Sequence, residues 1–136
     1  MKTRTAIRIQ KRVAYGAAIY PRHILRAACR QLDYASIPIG GSDYGIKFYQ
    51  DGFITMDPTC GTWIPGMIED VVRICREIGV ICKFEANHTF SVILPTDTIK
   101  SAVDRWHNNL NLSVEFLDAQ KRFYREDDVD ENQIPH

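Results

Sequence analysis

The sequence feature that most restricts the fold is an Asp51-Gly52 pair between two short runs in which apolar and polar residues alternate. The two runs cover residues 46–49 and 53–56. Alternation places every second side chain on the same face of a strand, and an Asp-Gly pair accepts the positive φ angles that tight hairpin turns require. The pattern therefore predicts a β-hairpin and, with it, an antiparallel sheet.

Helical and strand patterns alternate along the rest of the chain. The other predicted elements are a strand at residues 6–10, a helix after Pro21, a helix from Pro65 to Gly79, strands at residues 80–84 and 89–94, a helix capped by Thr96 or Asp97, and a strand at residues 112–116. The first six elements follow the order β-α-β-β-α-β of the ferredoxin-like split βαβ fold, in which both helices cover one face of an antiparallel sheet. We therefore predict an α+β protein with a ferredoxin-like core, extended by a further strand, helix and strand.

The length of the chain and its lack of a long apolar segment set the predicted domain organisation. At 136 residues, the sequence is long enough for one domain with its own core. We predict a single α+β domain with a basic N-terminal region over residues 1–118, followed by an acidic C-terminal tail over residues 119–136. No segment approaches the roughly 18 apolar residues that a membrane-spanning helix needs, so we expect no membrane partner.

Charge is distributed very unevenly, although the formal net charge is zero. The first 32 residues contain eight Lys and Arg residues and no acidic residue. Residues 126–136 contain five acidic residues and no Lys or Arg. Such segregation bears on partners rather than on fold. It predicts either an anionic partner for the basic region or contact between the basic and acidic regions of one chain or of neighbouring copies.

Three arginines, Arg22, Arg26 and Arg30, recur at intervals of four on the helix predicted after Pro21. Such residues advance by only about 40° per step around a helix, so their guanidinium groups form one stripe. The stripe lies opposite the predicted apolar face, and we expect it to face solvent. Guanidinium groups fit phosphate geometrically, which indicates a nucleic acid or a nucleotide as ligand. An acidic protein surface as partner, or a plain solvated helix face, also fits the pattern.

Lys11 and Arg12 lie a short segment before this stripe, and we assign them to the same predicted anion-binding site. From these five residues we predict a small non-enzymatic binding protein for an anionic partner, which is a nucleic acid, a nucleotide or an acidic protein surface. We also expect this binding protein to form a homo-oligomer. A compact domain without a family signature is typical of fast-evolving settings, so we also predict an accessory protein of a virus or mobile element. One alternative is a structural homo-oligomer that is joined by its basic and acidic ends.

The four cysteines are Cys29, Cys60, Cys75 and Cys82, and they form no C-x-x-C pair. No Cys/His cluster has the spacing of a structural zinc site, and no phosphate-binding loop or dinucleotide motif occurs. We therefore predict neither a metal nor a cofactor. Free thiols indicate a reducing compartment, and we expect a cytoplasmic protein.

A second alternative is a small cysteine-dependent enzyme. Cys60 lies shortly before the helix that begins at Pro65, and a helix N-terminus lowers the pKa of a nearby thiol. His88, in the second hairpin turn, would then act as the base toward Cys60. The competing interpretation is that Cys60 is a small core residue. Cys75 and Cys82 fall on apolar faces, and we expect them to serve packing alone.

Overall fold

The computed structural model describes residues 1–40, 44–59, 61–86 and 89–108. The helices are α1 (Thr3–Ala14), α2 (Arg22–Leu32), α3 (Ile64–Ile78) and α4 (Ile99–Asn108). The strands are β1 (Ser36–Pro38), β2 (Lys47–Tyr49), β3 (Ile54–Thr55), β4 (Cys82–Ala86) and β5 (Thr89–Ile93). In this part of the chain no helix is long and apolar enough to cross a membrane. Helices packed on an open five-stranded sheet confirm the predicted α+β class.

Both predicted hairpins are present. In the first, Tyr49 donates its backbone N–H to the carbonyl oxygen of Phe53 at 2.9 Å, and Gly52 donates to the carbonyl oxygen of Tyr49 at 2.8 Å. Only Gly52 in this turn has a positive φ, at 98°. The connection is therefore a three-residue loop closed by a left-handed glycine, and not a two-residue turn with two positive φ angles. In the second hairpin, β4 and β5 pair in antiparallel register from Cys82 opposite Ile93.

The five strands lie in the sheet in their chain order. The pairs β1/β2, β2/β3 and β4/β5 are antiparallel, whereas β3 and β4 are parallel. A parallel pair needs a long crossover connection, and α3 supplies it. The prediction of a purely antiparallel sheet is therefore wrong for this pair, and the ferredoxin-like strand arrangement is not confirmed.

The strand predicted at residues 6–10 is wrong, because these residues lie inside α1. Five residues of alternation also fit helical spacing, and the longer pattern decides: Ala6, Ile9 and Val13 recur at helical intervals and are all buried. The strand predicted at residues 112–116 and the acidic tail lie outside the described residues.

The core lies between the helices and one face of the sheet. Strand pairing aligns a row of side chains, each at most 1% exposed, across all five strands: Ile37, Phe48, Ile54, Cys82 and Ile93. α3 packs on β4 and β5 through its buried face: Ile64, Met67, Ile68, Val71, Val72, Cys75 and Ile78. Full burial of one large aliphatic or aromatic side chain contributes about 1.5–3 kcal/mol to the free energy of unfolding. Burial of the row on the sheet and of the apolar face of α3 therefore holds the helices on one face of the sheet. On the other face Lys47, Glu85 and Phe90 are exposed.

Helix ends follow the predicted chemistry with small shifts. Gly79 ends α3 with a left-handed φ of 79°, and Pro65 is the second residue of α3. α4 is capped by Thr98 and not by Thr96 or Asp97, because the Thr98 hydroxyl oxygen accepts the backbone N–H of Ser101 at 3.1 Å. The carboxylate of Asp97 instead pairs with Arg105.

A buried ion pair holds α4 against the end of β5. Arg105 donates from Nη1 to Asp97 Oδ2 at 2.6 Å and from Nη2 to Asp97 Oδ1 at 2.9 Å. Asp97 also accepts the backbone N–H of Leu94 at 2.8 Å and the hydroxyl of Ser101 at 3.0 Å. Arg105 Nη1 also donates to the carbonyl oxygen of Val92 at 3.1 Å. A buried charge requires this many partners to offset its desolvation, so the network is a structural fixture of the fold.

Candidate anion-binding surface

α1 has a buried apolar face and an exposed basic face. The buried residues are Ala6, Ile9 and Val13. Because successive residues turn by about 100° around a helix, the opposite side carries the basic residues of α1. Four of them are exposed, and we call them the cationic face: Arg4, Arg8, Lys11 and Arg12.

Within the described part of the chain, no ion pair offsets this charge. Neither α1 nor α2 contains an Asp or Glu, and none of the described residues forms an ion pair with the cationic face. Arg12 donates from Nη1 to the hydroxyl of Tyr20 at 3.2 Å. In the last turn, Lys11 and Arg12 are favoured by the helix dipole, whereas Arg4 in the first turn is opposed by it, at a cost of about 0.3–1 kcal/mol. Helix stability therefore does not account for Arg4.

The structure separates the three arginines of the predicted stripe on α2. Arg22 is only 5% exposed, and Arg26 is half-buried and donates from Nε to the carbonyl oxygen of Gln50 at 3.0 Å. Of the three, only Arg30 is exposed. The expectation that all three face solvent is therefore wrong for Arg22 and in part for Arg26. The reason is that Arg22 lies seven residues before the buried Cys29, and so on nearly the same side of α2, while Arg26 contacts the first hairpin.

Arg30 is exposed near the end of α2, the helix that packs against α1. Gln31 donates from Nε2 to the hydroxyl oxygen of Thr3 at 2.9 Å, so the end of α2 meets the beginning of α1. This contact brings the exposed Arg30 toward the end of α1 that carries Arg4. Of the five residues in the predicted anion-binding site, three are thus exposed on one helix pair: Lys11, Arg12 and Arg30.

An exposed aromatic ring continues the line of the cationic face. Tyr15 follows α1 directly with helical backbone angles and is 83% exposed. It lies eleven residues after Arg4, which is about three helical turns, so both side chains lie on the same side of the helix. Exposed rings beside cations are the usual combination in proteins that bind single-stranded nucleic acid, because bases stack on the rings.

The described cysteines do not form a reactive site. Cys29, Cys75 and Cys82 are free and buried, which confirms the packing role predicted for the last two. Burial raises the pKa of the Cys29 thiol to about 11 and raises the pKa of Cys75 well above its ordinary value. Among the described residues, no group of three or more His, Cys, Asp or Glu side chains could hold a metal ion. Cys60 and His88 lie outside the described residues, so the enzymatic alternative stays a prediction.

The buried thiols are expected to resist alkylation in the native protein. Raising the pKa of Cys29 from 9.0 to about 11 lowers its thiolate fraction near neutral pH roughly 100-fold, and burial further blocks access. Peptide mapping after treatment with iodoacetamide should therefore show Cys29, Cys75 and Cys82 unmodified until denaturant is added. Rapid native labelling of any of these three would contradict their burial.

The same experiment tests the enzymatic alternative, because it isolates Cys60. Rapid labelling of Cys60 alone near neutral pH is the expected result for a catalytic thiol, and slow labelling would exclude that role.

The stability of the protein at alkaline pH tests the burial of Cys29. Because the folded state favours the neutral thiol of Cys29, the free energy of unfolding should fall as the pH rises from about 9 to about 11, and Cys29→Ala should weaken this fall.

Three exposed residues of this surface were not predicted as site residues from the sequence: Arg4, Arg8 and Tyr15. Arg4, Arg8 and Tyr15 share a side if residues 3–14 form a helix, whereas a strand at residues 6–10 contains Arg8 alone and gives no relation among the three. The signal that would have found them is the helical spacing of Ala6, Ile9 and Val13, read together with the basic residues between them.

Comparisons of the chain with protein-family models, with curated proteins and with solved structures give no match. The ligand of this surface is therefore inferred from the charge, exposure and spacing of the residues themselves.

Proposed function

We propose that this protein is a non-enzymatic binding protein that holds a nucleic acid through the cationic face of α1. The observation that carries the proposal is four exposed basic residues on one twelve-residue helix, with no ion pair to them from the described residues. Like charges at this spacing repel one another on a helix. A polyanion along the helix would replace that repulsion by attraction.

Spacing and side-chain chemistry favour a nucleic acid over other anions. From Arg4 to Arg12 the cationic face extends about 12 Å along the helix axis, which is long enough to contact several phosphates of one strand. Three of its four cations are arginines, whose planar groups bind phosphate oxygens in pairs. Tyr15 adds a ring on which a base can stack. Contacts of this kind hold the backbone and carry little sequence information.

The proposal is tested by removing charge from the cationic face and, as a control, from elsewhere. Fluorescence anisotropy with short labelled DNA and RNA strands measures the affinity. We expect Arg4→Gln/Arg8→Gln to weaken binding at least about 10-fold at low salt, because two phosphate contacts are lost. The control is Arg73→Gln/Lys100→Gln, which removes the same charge from exposed positions on α3 and α4. It should change the affinity less than about twofold, because these positions lie outside the binding surface.

Two other outcomes would contradict the proposal. Equal weakening by both double variants would show a general effect of net charge and no site on α1. Failure to bind any oligonucleotide, together with binding of an acidic peptide that depends on Arg4 and Arg8, would replace the nucleic acid by an acidic protein as the partner. Arg22 is unsuited to such a test, because it is buried and its replacement changes stability as well as charge.

A further inference from the structure

Trp63, immediately before α3, exposes 74% of its surface. Its ring rests against Gly66: a Cβ atom at that position would come within 2.6 Å of the indole carbon Cε3 and 3.1 Å of Cζ3. The indole therefore lies along the first turn of α3, and the missing side chain of Gly66 makes the space for it. The result is a large aromatic surface that is held in place on one side and open to solvent on the other.

This ring forms one wall of an open groove of about 550 Å³. Tyr44 lines the groove as a second aromatic side chain, and the fully buried Met67 lines it as well. Thr59 and Thr62 border it and are fixed by a hydrogen bond of 2.7 Å from the hydroxyl of Thr62 to the carbonyl oxygen of Thr59. Tryptophan and tyrosine are residue types enriched at protein interfaces, which indicates a protein ligand.

The charge that lines the groove is negative. Glu69 and Asp70 border it, and none of the described residues that line it is basic. The hydroxyl of Tyr44 donates to Asp70 Oδ2 at 3.0 Å, which orients the ring and the carboxylate together. Arg73 lies 3.6 Å from Glu69, but both side chains are well exposed, and such pairs are weak and readily exchanged.

We propose that this groove binds a lysine- or arginine-bearing segment of a partner protein. The aliphatic stem of the basic side chain packs on Trp63 and Tyr44, its charge is attracted to the aromatic faces, and its head group reaches Glu69 and Asp70. The positive end of the α3 dipole acts within the first turn, whereas both carboxylates lie beyond it. The same carboxylates repel phosphate, so this surface and the cationic face select opposite partners. The proposal does not depend on the nucleic-acid function.

The test uses the full chain and a short labelled peptide of alternating arginine and glycine, with a glutamate–glycine peptide as the negative control. We expect the arginine peptide alone to bind, and we expect Trp63→Ala to weaken that binding at least 10-fold. Glu69→Gln/Asp70→Asn should have a similar effect. Glu77→Gln/Glu85→Gln, which removes the same charge from exposed positions outside the groove, should leave the affinity within about twofold.

Gly66→Ala separates the groove from general folding effects. The added methyl group displaces the Trp63 ring but favours the helix, so peptide affinity should fall while the circular dichroism of the protein stays unchanged. Absence of arginine-peptide binding, or equal binding by wild type and Trp63→Ala, would overturn the proposal. A concentration-dependent rise in mass by light scattering that Trp63→Ala abolishes would also overturn it, because a second copy of the chain would then occupy the groove.

Discussion

Replacing Arg105 with methionine is expected to lower the free energy of unfolding by about 3–5 kcal/mol. Methionine keeps much of the apolar stem but removes the guanidinium that donates to both carboxylate oxygens of Asp97, at 2.6 and 2.9 Å. Asp97 is 5% exposed, so its charge would remain buried without the guanidinium that now pairs with it. The change is measured from urea unfolding curves followed by circular dichroism.

An exposed ion pair on the same helix provides a matched control. Lys100 and Asp104 are also separated by 2.6 Å, but their side chains are 86% and 49% exposed. Lys100→Met should therefore change the free energy of unfolding by no more than about 0.5 kcal/mol, because water solvates Asp104 when its partner is removed. Similar losses from Arg105→Met and Lys100→Met would show that burial does not decide the strength of these pairs.

The elements that were predicted correctly from the sequence are those whose start signal, end signal and hydrophobic periodicity all indicate the same element. α3 has Pro65 near its start, Gly79 just after its end and a single apolar face between them, and each of these signals favours the same helix. The first hairpin has an Asp51-Gly52 turn between two alternating runs, and its strands are short but correctly placed. Agreement among independent local signals explains why these elements could be predicted.

The elements that were missed have patterns too short to distinguish the helical period of about 3.6 residues from the strand period of two. Within residues 6–10 alternation and helical spacing coincide, and only Val13 extends the pattern far enough to favour α1. β1 has three residues and a single buried one, Ile37, and it contains Pro38, which a strand tolerates at the edge of a sheet. Its position is fixed by pairing with β2, which no local pattern shows.

Side-chain exposure was the least predictable property of the candidate sites. The same intervals of four place Arg22, Arg26 and Arg30 on one side of α2, yet tertiary packing buries the first and leaves the last exposed. The groove beside α3 has the same origin, because the exposed Trp63 ring lies against Gly66 in the first turn of α3. Tertiary packing decides both, so the sequence supplies the chemistry of these residues but not their accessibility.

Salt is expected to weaken nucleic-acid binding by the cationic face steeply. Each phosphate contact contributes about −0.9 to the slope of log affinity against log salt on B-DNA and about −0.7 on single strands, so four contacts give slopes of about −3.6 and −2.8. A rise in salt from about 50 to about 200 mM should then reduce the affinity roughly 150-fold for duplex DNA and roughly 50-fold for a single strand. The slope is measured by anisotropy titrations at several salt concentrations.

Comparing the slopes of the wild type and the variants gives the number of residues that contact phosphate. Arg4→Gln/Arg8→Gln should leave two contacts and slopes of about −1.8 and −1.4, so that the same rise in salt weakens binding only about 12-fold and about 7-fold. Arg73→Gln/Lys100→Gln should keep the original slope, because neither side chain belongs to the cationic face. A wild-type slope near zero would contradict phosphate binding by α1, since counterions are released wherever cations neutralise a nucleic acid. A steep slope that Arg4→Gln/Arg8→Gln leaves unchanged would place the phosphate contacts elsewhere on the protein.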